Sequence, residues 1–550
     1  MNRSWVQRMG AVLPWRKMSY RANGSQQLSI FDRSLRLTRR ERSFLEKSWA
    51  KVFSDEIFPA IDEERFRVLY SQNASRPNTP VNIIVGALII KELFALSDDE
   101  IVENLMLDIH YQYALHTTSY EEQPLSDKSL SRFRKRCYEY EKTTGVDLFH
   151  ECVCDLNRKI AKLMGINSHV KRMDSLMIEA NIRKLSRIEL LYSCVARLAK
   201  RIEKKEGIGK LTGLEHYCQP GDRNFIVYHC RNTDMNERIE TILKDADQLL
   251  LRSAAQYQET EEYRLLVRCL DEQTIAGSGG RRLRKKGEES PSTTSLQNPT
   301  DPDATYCVKA GKDHIGYAAN VVESVDSSGS VITDYQYEKN IFSDPRFLRD
   351  HLTRTEEQKE TVRIVADGGY VGQECRELAA EKNIELINTA LKGVAVPDIY
   401  GGFLLSDNGK SVQQCPAGYA PIRCSYTERT SRIRAYFKSE HCMGCDHREE
   451  CQAKQRRATC QMSLSRSAVE RARQQQQMHA PDFQNWHRIR NGIESVPSIL
   501  RNRYQVDKMP VRGFIPSKFF FGAKISAMNF NKLLRHRRGL LSCAQNPLLS

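Results

Sequence analysis

Three carboxylates, far apart in the numbering, stand where a strand or a helix could present them to a substrate. Asp367 closes the strand-like part of Thr361–Val371 (TVRIVADGGYV), in which Val362, Ile364 and Val365 form a β-branched run that stops at Gly368-Gly369. Such a run reads as a buried strand entering a tight turn. The carboxyl ends of strands in open α/β sheets are where ligands and metals collect. Asp before Gly-Gly is also ordinary turn chemistry, so its role depends on partners. Asp174 is one: Val170 and Met173 precede it, and Leu176 and Ile178 alternate with it in strand fashion. Glu494 is the other, in a helical stretch over 482–500 between Arg490 and Arg501. On an ideal helix those three share a face, an arrangement that reads equally as an i, i+4 salt bridge. Three converging carboxylates are what a pair of divalent cations requires. Mg²⁺ is hard, prefers oxygen ligands and keeps open positions for water and phosphate. Two such ions about 4 Å apart activate a nucleophilic hydroxyl and stabilise the leaving oxygen of a phosphodiester.

A second set of chemistry-bearing residues is rich in sulfur. Cys442, Cys445 and Cys451 give Cys-x2-Cys-x5-Cys, with Cys415, Cys424, Cys460, His441 and His447 within reach as a fourth ligand. That knuckle suggests structural zinc, with Cys415 taken as the fourth ligand; free thiols are the other reading. A third set is basic. In Leu125–Cys137, Ser126 reads as a helix N-cap, Leu130, Phe133 and Cys137 share one face, and Lys128, Arg132, Lys135 and Arg136 share another. A short helix packed on one side and basic on the other is suited to lying along DNA, or is simply a solvated charged face.

The elements that must position these groups follow from the rest of the chain. Its 550 residues exceed one core and imply two to four domains. The net charge of +15 points first to nucleic acid, through phosphate neutralisation. The longest uncharged apolar run, Ile83–Ile90, is too short to span a membrane. No apolar block marks a secretory signal, so a cytoplasmic, nucleoid-associated protein is expected, with no membrane partner. Sixteen cysteines without an export signal argue against a disulfide scaffold.

Residues 1–37 read as a polar leader. Helical periodicity follows, with a buried helix after Pro80 and a capping box at Ser97-x2-Glu100. The 170s read as a strand, followed by helical stretches through Lys205 and from Met235 to Thr274. Ala276–Thr305 is a Gly, Ser, Pro and basic-rich loop. From Tyr306 to Asn340 the period is two, with turns at Gly311-Lys312 and near Ser328. A helix over 347–360 leads into the Asp367 strand; Glu374–Lys382 and Ile384–Asn388 are the next helix and strand. Pro397–Cys460 reads as turns, Gln474–Gln477 as an exposed connection, and 482–500 as a helix with a core stripe of Ile489, Ile493, Val496 and Leu500. The class is mixed α/β.

In this order the chain resembles the DDE transposases of bacterial insertion sequences. Asp174–Asn181 is similar to the segment of the first catalytic Asp, and Ala366–Tyr370 to that of the second. Asp301-Pro302-Asp303-Ala304, Lys309 and Gly316-Tyr317 resemble the core hairpin, and Arg490–Glu494, Arg512-Gly513 and Asn529–Leu533 resemble the Glu helix and the close of the domain. Residues 65–136 are similar to the family's N-terminal helical domain. One branch carries Tyr-x2-Arg-x3-Glu-x6-Lys; here the frame reads His487, Arg490, Glu494 and Arg501. A guanidinium still grips phosphate bidentately, whereas His in place of Tyr removes a hydroxyl. Pro497 should kink the helix.

The resemblance implies an α/β ribonuclease H-like core with an all-α N-terminal domain, a helical insertion and a Cys-rich insertion. The core would comprise 161–185, 304–395 and 481–537. The DNA-binding helices would occupy 38–160, the helical insertion and linker 186–303, the Cys-rich insertion 396–480 and a tail 538–550. It further implies catalysis by Asp174, Asp367 and Glu494 holding two Mg²⁺ ions, for which Mn²⁺ can substitute. The partner would be double-stranded DNA, bound through Lys128, Arg132, Lys135, Arg136, Arg490 and Arg501, with a homodimer pairing the two element ends. A DNA-binding protein with a decayed active site and a metal nuclease that cuts without joining are the alternatives.

Overall fold

The computed structural model describes residues 18–23, 32–71, 76–167, 169–229, 235–253, 255–277, 280–285, 288, 292–309, 311–370, 372–391, 395–481 and 483–539. Most of the leader and the tail lie outside them. Helices and strands are mixed throughout the chain, as the changes of period predict.

In chain order the helices used below are α1 (Val81–Phe94), α2 (Asp98–Leu107), α3 (Asp127–Thr144), α4 (Leu148–Leu163), α5 (Arg187–Glu206), α6 (Met235–Arg252), α7 (Glu261–Gln273), α8 (Gln373–Glu381), α9 (Arg466–His479), α10 (Phe483–Asn491), α11 (Ser495–Asn502) and α12 (Phe514–Arg537). The strands are β1 (Val170–Glu179), β2 (Thr305–Lys309), β3 (Lys312–Asp326), β4 (Gly329–Lys339), β5 (Val362–Ala366), β6 (Ile384–Asn388), β7 (Arg423–Thr427), β8 (Arg432–Lys438), β9 (Lys454–Gln455) and β10 (Thr459–Leu464).

The chain forms two compact units, and the division falls within β1. The first comprises residues up to 168, 174–347 and 495–543. Its N-terminal helices are specified locally. Ser97 and Glu100 complete the expected capping box at α2, and Ser126 accepts from the Ser129 N–H at the start of α3. Every residue of α1 from Val81 to Leu93 is buried. Burying a Leu or Ile side chain is worth about 1.5–3 kcal/mol, so this helix is a main source of stability. Its two charges are matched: Lys524 of α12 donates to Glu92 at 2.5 Å, and Lys91 lies 3.6 Å from Asp98. Strands β2, β3 and β4 form an antiparallel ladder. The second part of β1 lies in this unit, where the Ala180 N–H donates to the Ile315 carbonyl at 3.0 Å. Gly316 makes this approach feasible: its φ is +151°, and a Cβ there would meet the Ile178 carbonyl oxygen at 2.3 Å.

Helices α5, α6 and α7 share a core that includes Leu191, Val195, Leu198, Leu243, Leu266 and Leu270. Two boundaries differ from the sequence expectation. Helix α5 waits for its own capping box, Ser186 with Glu189, and the 235–274 stretch is divided where Thr260 caps α7. The loop expected over 276–305 begins with a short hairpin, Thr274–Gly277 against Gly280–Leu283.

The second unit comprises 169–173 and the described residues of 348–494. Val170–Met173 of β1 run parallel to β5, and β5 runs parallel to β6. Helix α10 covers β5, and Arg363 of that strand lies over the Trp486 ring at 6.0 Å. Over 397–460, where turns were expected, β7, β8, β10 and β9 form a four-stranded antiparallel sheet. Its inward positions Ile433, Ala435, Phe437, Met462 and Leu464 alternate with polar residues. Short strands dense in Arg, Cys and Lys hide that period. Gln474–Gln477 is no exposed connection either. Ser465 caps α9, which runs through all four glutamines, and the Gln475 and Gln476 amides donate to Asp398 and its carbonyl at 2.8 Å. The expected helix over 482–500 breaks into α10, a 3-10 turn at Gly492–Glu494 and α11. The tight turn ends where Pro497 would clash with the Ile493 carbonyl of a continuous α-helix. All four stripe residues are nevertheless buried.

Candidate active site

Asp174 lies in the part of β1 that belongs to the first unit and is half-buried. One of its carboxylate oxygens accepts the Ser175 N–H at 2.9 Å. Around it runs a chain that the sequence does not advertise: the Lys309 ammonium donates to the Ser175 hydroxyl at 3.2 Å, and that hydroxyl donates to Asp344 at 2.6 Å. A lysine and a second carboxylate thus meet at the side chain of Ser175, the residue after Asp174, both brought in from distant segments. Two residues past β1, the Asn181 amide donates to the Met509 carbonyl at 2.9 Å, and Arg512 donates to the Asn181 carbonyl at 2.8 Å. Arg501, expected on DNA, is anchored here. Its guanidinium donates to the Met177 carbonyl at 2.9 Å and to Asp507 at 3.1 Å. The 3-10 turn at Gly492–Glu494 interrupts the single straight helix on which it was expected to share a face with Arg490 and Glu494.

Asp367 and Glu494 both belong to the second unit. Asp367 follows β5 directly and accepts the Gly368 N–H with its own carboxylate. The Asn388 amide donates to its carbonyl at 3.2 Å, and the Tyr370 N–H donates to it at 3.1 Å. Gly368 is required by close approach, since a Cβ there would fall 2.3 Å from the Ala390 carbonyl oxygen. The Gly368-Gly369 turn borders an open cleft lined by Arg376, Leu391, Ser467, Arg471 and Gln474. A neighbouring cleft, sharing Leu391 and Arg471, is lined by His479 and His487.

Glu494 is exposed at the end of the 3-10 turn and is paired with Arg490, as the spacing predicts. The Arg490 Nε–H is buried without an acceptor among the described residues. Arg172, at the start of β1 and buried, donates to the Ile489 carbonyl at 2.9 Å, holding the end of α10. It also explains Gly492, where a Cβ would meet the Arg172 guanidinium at 1.9 Å. Neither residue could be singled out from sequence, because the bond crosses more than three hundred positions.

On α3 the face buried by Leu130, Phe133 and Cys137 is the expected one, and Lys128, Arg132 and Lys135 are exposed opposite it. Arg136 is half-buried with its guanidinium 4.8 Å from the Tyr70 ring centre. Arg134, between them in sequence, is buried, pairs with Asp98 and lies over the Phe520 ring.

The cysteines gather at one side of the small sheet. Cys415, Cys442, Cys445, Cys451 and Cys460 line a single pocket with His441, His447 and Tyr419. The segment after Cys415 folds back tightly: the Tyr419 N–H donates to the Cys415 sulfur at 3.4 Å, and the Tyr419 ring stacks on His441 at 4.3 Å. Cys424 is elsewhere, its thiol donating to the Val412 carbonyl. Burial, and then the neighbouring Cys460, Cys451 and Cys415 sulfurs, push the Cys442 thiol up to about 12. Burial and the Cys415, Cys445 and Cys460 sulfurs push Cys451 up to about 11, against a backbone hydrogen bond at Ala453 that lowers it. No three of these sulfurs lie within 4.8 Å of one another.

Comparison with known families gives two matches. The model described as Transposase domain (DUF772) matches residues 42–136, which include α1, α2 and the basic face of α3. The model described as Transposase DDE domain matches residues 414–534, which include the cysteine pocket and Glu494. Asp174 and Asp367 precede that second match. No curated protein and no solved structure matches the chain. No described helix is long and apolar enough to cross a membrane.

Proposed function

We propose, for a chain that belongs to the DDE transposases of insertion elements, that Asp174, Asp367 and Glu494 act together to cut the ends of the element and join the freed 3′-hydroxyls to target DNA. The observation that carries this reading is the DDE match through Glu494, taken with Asp367 at the carboxyl end of a strand flanked by parallel neighbours. The antiparallel ladder of the first unit and the parallel strands of the second are the elements a ribonuclease H-like core needs. The donor set fits hard divalent cations, because all three groups are carboxylates and none is buried. Two Mg²⁺ ions, or Mn²⁺ in their place, would supply a more acidic attacking hydroxyl and charge stabilisation for the leaving oxygen.

The chain's own groups do the positioning. The Gly368 N–H fixes the Asp367 carboxylate at the strand end. Arg490 holds Glu494 at the end of the 3-10 turn. Arg376 and Arg471 give the cleft beside Asp367 a positive lining, suited to the DNA backbone. Lys128, Arg132 and Lys135 contribute a second phosphate-binding face, and a homodimer would pair the two ends.

Asp174→Asn, Asp367→Asn and Glu494→Gln are each expected to lower cleavage of an end-bearing duplex by at least about 10³-fold, some 4 kcal/mol of transition-state stabilisation, with binding retained. Normal cleavage by any one of them overturns its assignment. Pre-nicked ends separate a transposase from a nuclease, since only the transposase joins them to target. Replacing Lys128, Arg132 and Lys135 together by Ala should reduce the salt dependence of DNA binding by about three phosphate contacts; an unchanged slope removes α3 from the interface.

A further inference from the structure

We propose a further metal centre, formed by His150, Cys154 and Asp334, none of which has a part in the function proposed above. His150 and Cys154 are one turn apart on α4, and Asp334 reaches them from β4. The His150 Nε2 lies 3.4 Å from the Cys154 sulfur and 3.6 Å from an Asp334 carboxylate oxygen, and that oxygen is 3.7 Å from the sulfur. A tetrahedral ion with bonds of about 2.0 Å to N and O and about 2.3 Å to S holds such ligand atoms about 3.3–3.6 Å apart. The three atoms therefore lie within a few tenths of an ångström of one face of that tetrahedron.

The arrangement is unlike a nucleophile–base pair oriented by an acid. There the imidazole uses one nitrogen for the nucleophile and the other for the carboxylate. Here the same nitrogen faces both groups, so the three lone-pair donors converge on one point. The mixture of nitrogen, sulfur and oxygen suits Zn²⁺ and does not suit Mg²⁺. The site is also aimed. The β3–β4 register slips by one residue between Val322↔Asp334 and Glu323↔Ile332, leaving Thr333 as a bulge immediately before Asp334. Bulges of this kind redirect the neighbouring side chain. The His150 ring packs on the buried Tyr335 ring at 4.4 Å, fixing its plane, and the Cys154 side chain is buried. The neighbouring acidic groups Asp147, which caps α4, and Glu141, near the end of α3, are matched by Lys518 at 3.0 and 2.6 Å.

The test uses the full chain, stripped with chelator and titrated with Co²⁺, whose visible bands report tetrahedral thiolate coordination. Wild type is expected to bind one more equivalent than Cys154→Ser or Asp334→Asn, at unchanged far-ultraviolet circular dichroism. Asp334→Asn preserves shape and hydrogen bonding, so its loss of one equivalent separates a metal centre from a hydrogen-bonded cluster. Equal stoichiometry in wild type and both variants overturns the proposal, whether the cysteine pocket fills or not. Cleavage by the proposed Asp174, Asp367 and Glu494 set is measured separately and decides nothing here.

Discussion

The two sulfur-bearing clusters of this protein are opposites. In the small sheet of the second unit, Cys442-x2-Cys445 announces itself in the sequence, yet no three of the sulfurs around its pocket come within 4.8 Å of one another. Between α4 and β4 of the first unit, nothing in the sequence joins His150 and Cys154 to Asp334, yet their ligand atoms are already at coordination distances. The difference follows from what each cluster rests on. The cysteines come from turns, two short helices and the start of β10, beside a modest core of residues such as Phe403, Ile433 and Phe437. The other three rest on an α-helix that buries Phe149, Cys152, Val153, Leu156 and Ile160, and on a strand within a long ladder. Packing preforms the second cluster. We infer that an ion would have to assemble the first.

Removing metal is the most direct way to break that contrast, and it should give the largest effect. Structural zinc contributes apparent free energies of about 10–16 kcal/mol in small domains whose cores cannot hold them alone. Chelation, or Cys442→Ser with Cys445→Ser, should therefore open residues 396–480 to limited proteolysis at least about 100-fold faster. The same chelator should leave α4 and β4 resistant, since there a bound ion adds only about 2.7 kcal/mol at a hundredfold excess over its Kd. Equal protection of the small sheet with and without chelator would show that its hydrophobic core suffices.

The pH dependence sharpens the same comparison at intermediate size. Thiolates, not thiols, bind metal, so acid competes with it. Cys442 and Cys451 are raised from an ordinary 9.0 to about 12 and about 11 by burial and by neighbouring sulfurs. Each proton displaced adds about a factor of ten in apparent affinity per pH unit below the thiol pKa. The cysteine pocket should thus lose Zn²⁺ far more steeply on acidification from pH 8 to 6 than the single-thiol cluster. In the metal-free protein the sign runs the other way. The unfolded chain releases these protons first, so the stability of the small sheet is intact below about pH 9 and falls as pH rises toward 12. Urea melts of chelated protein at pH 7 and pH 10 measure it.

What could be read in advance divides along the same line. Features within one turn or one strand were legible: the capping box at Ser97, the α3 cap and buried face, the strand ending at Asp367, the Arg490–Glu494 pair and the stripe from Ile489 to Leu500. Features made by bonds between distant segments were not. Arg501 turns to Asp507 and Met177, Arg172 holds the end of α10, and Lys309 and Asp344 meet at Ser175. No period or spacing encodes such partners. The small sheet was missed for a different reason: its strands are short and carry few apolar residues, so alternation is drowned by Arg, Lys and Cys. Gln474–Gln477 misled because glutamine is polar but a good helix former, and its amides find backbone partners on a neighbouring turn.

The smallest effect concerns Cys460. It is the fifth sulfur of a pocket for which four suffice, and after burial it is the first influence that raises the Cys442 thiol. Cys415 sits in a tight turn whose Tyr419 N–H already points at its sulfur. Were Cys415 the fourth ligand of a bound ion, Cys460 would act on that ion only through Cys442. Outer-shell partners of this kind are worth about 10–100-fold in metal affinity. Cys460→Ala should therefore weaken Zn²⁺ by that factor while the sheet still folds with metal, whereas Cys415→Ala should cost far more. Competition titration against a chromophoric chelator measures both. The reverse order would exchange the two roles and make Cys460, on the rigid edge of β10, the residue that anchors the ion.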